Sequence, residues 1–178
     1  MPDGQLTDRQ TNNSVADQTG FATEALIAGS VFAIPKGRLP AAGKATYKLT
    51  FDMTKTAAGT ATPLLYINYG TAGTTADDPV LTFTFGAGTA AVDAGVFEVL
   101  VTFRTVGASG VATGVAKLDH SLAATGLTNT GTGGCAVLPV TSSAFSTVVA
   151  DSYISASFNG GSSFAGTCTL VQAEWENY

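Results

Sequence analysis

Every second residue from Ala45 to Met53 is apolar. Ala45, Tyr47, Leu49, Phe51 and Met53 share one face of an extended chain, and Lys44, Thr46, Lys48, Thr50 and Asp52 share the other. This period of two fits a strand with one buried face and does not fit an amphipathic helix, whose apolar positions follow the helical turn. The same pattern puts Phe97, Val99, Val101 and Phe103 on one face of a strand over 96–106, with Glu98, Thr102 and Arg104 opposite. Further strands are predicted at 63–69 and 80–85, and shorter ones at 30–34, 111–118, 145–149, 153–158 and 167–175. The turns between them carry glycine, as in Ala57-Ala58-Gly59, Ala72-Gly73-Thr74 and Gly160-Gly161-Ser162, which supplies the positive φ that tight turns need. No stretch reads as a helix of three turns. Short amphipathic strands at this spacing predict two packed antiparallel sheets, an all-β sandwich that is jelly-roll-like.

A chain of 178 residues is of ordinary size for one such domain. Its first segment, 1–28, is rich in Asp, Gln, Asn and Thr and lacks apolar periodicity, so it reads as an extended N-terminal arm that contributes no core strand. Phe21, Leu26 and Ile27 form a small apolar group within it. That group can dock on a partner's surface and order there, or the segment can stay disordered as many termini do. Residues 29–178 then form the sandwich. The stretch 119–139, with Thr125-Gly126, Asn129-Thr130-Gly131 and Gly133-Gly134, reads as a long loop or a short strand pair.

Charged residues make up 12% of the chain, against roughly 25% in a typical soluble domain. Thr, Ser, Gly and Ala must therefore cover much of the surface. Few long charged side chains means little side-chain entropy to lose when surface is buried against partners. A net charge of −5 and scattered basic residues argue against nucleic acid as a partner, because neutralising phosphates takes clustered Lys and Arg. No apolar run approaches the ~20 residues that cross a bilayer, so no membrane insertion is expected. Residues 1–18 are polar and lack the basic and apolar regions of a signal peptide, so synthesis in a cytoplasm is expected. Cys135 and Cys168 read as two free thiols in that compartment. A disulfide formed after release is the alternative.

Candidate chemistry is thin. His120, the sole histidine, stands beside Asp119, but neighbours on a strand point to opposite sides. Asp119 is therefore a poor orienting partner for a Ser-His-Asp arrangement, and His120 reads as a surface or turn residue. Asp77, Asp78 and Asp93 lie in Gly/Thr-rich turns and read as turn caps, with a calcium site as the alternative. Gly86-Ala87-Gly88 lacks the lysine and helix of a phosphate loop and reads as a hairpin turn. Tyrosines and Trp175 are commonly core or interface residues. In a glycan-binding reading, Tyr66 and Trp175 would contact the sugar. No cofactor and no catalytic residue is expected.

Three segments point to a family. Lys55-Thr56-Ala57-Ala58-Gly59-Thr60-Ala61-Thr62-Pro63, Tyr69-Gly70-Thr71-Ala72-Gly73-Thr74-Thr75-Ala76-Asp77 and the strand from Val80 to Phe85 resemble structural proteins of tailed bacteriophages. Phe97-Glu98-Val99 with Thr102-Phe103-Arg104 continues the resemblance, and the stretch from Tyr153 to Glu174 looks like the last hairpin of phage head-fibre, decoration and tail-associated domains. The resemblance implies a virion component, commonly trimeric, that is not an enzyme. On it, the chain is expected to be a capsid decoration or head-fibre protein that binds copies of itself and the major capsid or tail proteins. Val96, Leu100 and Val106 are the expected subunit contacts, and the arm would dock on the particle. The alternative is a carbohydrate- or host-receptor-binding module of a tail fibre.

Overall fold

The computed structural model describes residues 8–39, 44–122, 125–130, 134–148 and 150–177. Among them are twelve strands: β1 (Asp8–Ser14), β2 (Ala25–Leu26), β3 (Phe32–Ile34), β4 (Ala45–Lys55), β5 (Leu64–Gly70), β6 (Pro79–Thr84), β7 (Asp93–Thr105), β8 (Val111–His120), β9 (Cys135–Thr141), β10 (Ser152–Asn159), β11 (Gly166–Thr167) and β12 (Val171–Asn177). No helix occurs among the described residues.

All the pairings are antiparallel. The large sheet runs β1-β12-β4-β7-β8-β9, with β11 also on β4, and the small sheet runs β2-β10-β5-β6, with β3 also on β10. The chain is thus the antiparallel, jelly-roll-like β-sandwich that the alternation predicts. The apolar faces of β4 and β7 pack inward against Leu65, Ile67, Phe83, Ile154 and Phe158 of the small sheet, all of them buried. At the centre, the Phe51 and Phe97 rings stack 4.7 Å apart, and Phe158 meets them edge-on at 6.2 and 5.5 Å. Offset and edge-on ring pairs of this kind add to the stabilisation from burial alone.

Three expectations need correction. The first is the arm, of which residues 1–7 lie outside the described residues. From Asp8 onward it belongs to the sandwich, because β1 pairs with β12 along its whole length. An edge strand can be polar, since its backbone supplies the pairing. Phe21 and Ile27 are buried in the chain's own core, Phe21 edge-on to Phe158 at 5.8 Å, and Leu26 pairs with Ser157. Phe21 and Ile27 are therefore not free to dock on a partner. The second correction is Val106. The β7–β8 register shifts between Phe103 and Thr105, the alternation breaks there, and Val106 packs partly buried against the core. The third is the strand predicted at 145–149. Phe145 makes only an isolated bridge with Gly110, and residue 149 lies outside the described residues.

Candidate functional site

The outer face of the large sheet divides into two halves. Across β7, β8 and β9 the register aligns Leu100 with Val115 and Pro139, and Glu98 with Lys117 and Val137. The next row aligns Val96 with Asp119 and Cys135. Val96, Leu100, Val115 and Val137 remain 41%, 46%, 41% and 56% exposed; Leu100 and Val115 stand side by side, Val137 lies one row away, and Val96 lies beyond the Glu98–Lys117 row. Between Leu100 and Pro139 lies a shallow depression of about 260 Å³, also lined by Val115 and Val140. Lys48 and Glu174 continue the Leu100 row into β4 and β12. There the face becomes charged, with Lys48 Nζ 3.3 Å from Glu176 and 3.8 Å from Glu174. Of the expected subunit contacts, Val96 and Leu100 lie on the exposed strip and Val106 does not.

At one end of the sandwich a polar cluster closes the core. Lys55 and Asp93 face each other across β4 and β7, on the inward parity of both strands. The Asp93 carboxylate accepts from His120 Nδ1 at 2.7 Å, the Ser121 hydroxyl at 2.7 Å, and the Leu127 and Ala94 amides at 2.8 and 2.9 Å. The His120 and Asp93 side chains are 1% and 0% exposed. Burial alone would raise the Asp93 carboxyl, but the bonds from Leu127, Ser121, His120 and Ala94 outweigh it and hold it below the ordinary carboxylate value. Lys55 Nζ donates to the Thr89, Thr56 and Ala91 carbonyls at 2.6, 3.1 and 3.4 Å. Burial lowers its pKa, and the charge of Asp93 partly offsets this. A cavity of about 710 Å³ opens beside the cluster, lined by Lys55, Asp93, Ser121, Phe164 and small residues.

The expected surface histidine is therefore buried, and the partner that orients it is Asp93, not Asp119. Asp119 pairs outward with Lys117 at 2.5 Å. Asp93 does accept backbone amides as a turn cap would, but it does so as the first residue of β7. The constellation lacks the arrangement of a nucleophilic triad, because the Ser121 hydroxyl donates to Asp93 and His120 Nε2 has no hydrogen-bond partner. A nucleophile needs its hydroxyl on the base nitrogen. What the cluster does is pin the segment 125–130 over the end of the sandwich, where Leu127 and Thr128 are buried. Lys55 escaped the sequence reading, although the alternation begun at Ala45 and carried past Met53 gives it the inward parity.

Gly126 is part of the same device. Its φ is +84°, and a Cβ there would fall 2.3 Å from the Asp93 Oδ2 atom. Gly126→Ala is expected to cost about 1 kcal/mol or more, since alanine is strained at positive φ, and to release the segment locally. Faster hydrogen exchange at the Leu127 amide together with a lower urea midpoint would show it.

The remaining candidates separate. Trp175 faces the core, 2% exposed, with its ring edge-on to Phe103 at 5.7 Å. Tyr66 lies on the outer face of the small sheet, where burial and the charge of Glu24 raise its pKa against a hydrogen bond with Asn159. The two do not form one aromatic platform. The Asp77 carboxylate accepts from the Ala72 and Gly73 amides at 2.9 and 2.7 Å, which are turn bonds. Both cysteines are free thiols, and no group of three or more His, Cys, Asp or Glu among the described residues is placed to hold a metal.

No family model and no curated protein matches the sequence. Similar solved structures include the CBM2 module of the evolved Dit of Lactobacillus casei BL23 phage J-1, at 12% identity and TM-score 0.38, over 99% of this chain and 93% of that one. Arcelin-5, a lectin-like defence protein of Phaseolus vulgaris, matches at 8% identity and TM-score 0.44, over 96% of this chain and 99% of that one. The structure of infectious bursal disease virus Gx strain matches at 10% identity and TM-score 0.34, over 97% of this chain and 36% of that one. These are distant likenesses.

Proposed function

We propose that the chain is a non-catalytic structural module of a tailed-bacteriophage particle, a capsid decoration or head-fibre protein that works through contact between protein surfaces. The observation that carries this reading is the exposed aliphatic strip of Val96, Leu100, Val115 and Val137 on β7–β9. Exposed aliphatic surface rimmed by charged residues, as here by Glu98, Lys117 and Asp119, marks interaction sites on soluble proteins. The low charged fraction and the phage-like segments at 55–63, 69–77 and 80–85 support a place on a particle. The commitment of Asp93, Ser121 and Lys55 to internal hydrogen bonds supports a structural over a catalytic role. Because Phe21 and Ile27 are core residues, docking on this reading falls to the strip and not to those two side chains.

Particles purified on a density gradient from the virus or prophage-bearing host that encodes the chain supply the test. An antibody to the chain is expected to follow the particle band, and gold label is expected to decorate heads in electron micrographs. A chain that stays at the top of the gradient, with particles lacking label, would overturn the reading.

A further inference from the structure

We infer that the strip on β7 and β8 is a self-complementary surface that joins two copies of this chain face to face about a two-fold axis. The inference rests on the strip being an assembly surface and goes further by naming what covers it.

The argument starts from the register. On the outer face, β7 and β8 present matched rows: Leu100 beside Val115, then Glu98 beside Lys117. Within one copy the Lys117 ammonium lies 3.7 Å from the Glu98 carboxylate. Consider a two-fold axis in the plane of contact, parallel to these strands and midway between them. Rotation about it preserves height along the strands and exchanges left with right, so the second copy's β7 lies over the first copy's β8. Leu100 then meets Val115 of the other copy, and Glu98 meets Lys117. Two acids and two bases alternate around the axis, flanked on one side by the Leu100–Val115 contacts and on the other by Val96 over Asp119, whose carboxylate also holds Lys117 at 2.5 Å. A partner that matches this row offers an acid over Lys117 and a base over Glu98, with aliphatic groups in the next row on the Leu100 side. This chain's own strip already offers that pattern.

Such an isologous contact, in which residue i touches j and j touches i, is the usual interface of two-fold homodimers. A three-fold assembly would bring different surfaces together and would not use this match.

Sedimentation equilibrium of the full chain at micromolar concentration tests the pair. The parent chain is expected to be a dimer. Glu98→Lys puts like charges opposite each other, and so does Lys117→Glu. Each is expected to weaken dimerisation roughly tenfold or more, like-charge contacts across an interface being strongly disfavoured. Mixing the two variant chains restores opposite charges at both contacts and is expected to give a mixed dimer, and a chain carrying both substitutions is expected to regain a homodimer. A far-ultraviolet circular dichroism spectrum matching the parent's shows that the fold of each variant is intact. A monomeric or trimeric parent chain, or a dimer insensitive to both reversals, overturns the two-fold pair. A monomer that still follows particles on the gradient would leave the particle reading standing, and a charge-dependent dimer absent from particles would do the reverse.

Discussion

Replacing Asp93 with alanine is expected to lower folding stability by about 3 kcal/mol or more, because each buried donor left without an acceptor costs roughly 1–3 kcal/mol. The side chain gathers four donors, from His120, Ser121, Leu127 and Ala94, and it supplies the negative charge facing buried Lys55. Alanine leaves the lysine without its counter-charge and the Leu127 amide without an acceptor. Against a total stability of roughly 5–15 kcal/mol for a domain, this is a large fraction. Urea unfolding followed by the fluorescence of Trp175, the sole tryptophan, should show a lower midpoint with unchanged slope. Asp93→Asn keeps one acceptor oxygen and should fall between parent and alanine. The pH dependence follows from the depressed carboxyl. A carboxyl lowered in the folded state contributes its stability fully above its unfolded value and loses it as pH falls through the folded one. The parent should therefore weaken on the acid side of the ordinary carboxylate range, and Asp93→Asn should lack that part of the loss. A variant within 1 kcal/mol of the parent, with the same acid profile, would show that the cluster does not hold this end of the fold.

The contrast between strand faces and strand partners explains which features could be read from the residues. Period two is a local property, so the buried faces of β4 and β7 follow from Tyr47, Leu49, Phe51, Phe97 and Val99 alone. The union of Asp93 with His120 is not local. It depends on Gly95 pairing with His120 across β7 and β8, a register that periodicity leaves open, so proximity in sequence points to Asp119 instead. The polar run Asp8–Ser14 shows no apolar face, because an edge strand is held mainly through its backbone. Val106 was lost to a bulge that has no sequence signature in Phe103-Arg104-Thr105. The exposed strip was legible only in part. Val96 and Leu100 stand on the outward parity of β7, but Val115 and Val137 join them only through the pairing of three strands. Trp175 was within reach, because Val171, Ala173 and Trp175 alternate with polar residues and share the inward face.

That inward placement determines what a substitution at Trp175 can report. Trp175→Ala empties a site between β1 and β4, where Trp175 pairs with Gln10 and Tyr47 and its ring meets Phe103. Large-to-small changes at buried aromatic positions cost about 3–5 kcal/mol, from lost burial plus the cavity left behind. For a chain of this length that corresponds to a fall in melting temperature of roughly 10 °C. Circular dichroism during heating is the suitable probe, because the substitution removes the fluorophore. Trp175→Phe should lose less, since most of the volume is retained, and Tyr66→Phe on the outer face of the small sheet should melt close to the parent. Loss of assembly or of any glycan binding in Trp175→Ala would then follow from unfolding and not from a missing contact. A Trp175→Ala chain that melts with the parent yet loses binding would instead place the indole at a binding surface and contradict its buried position.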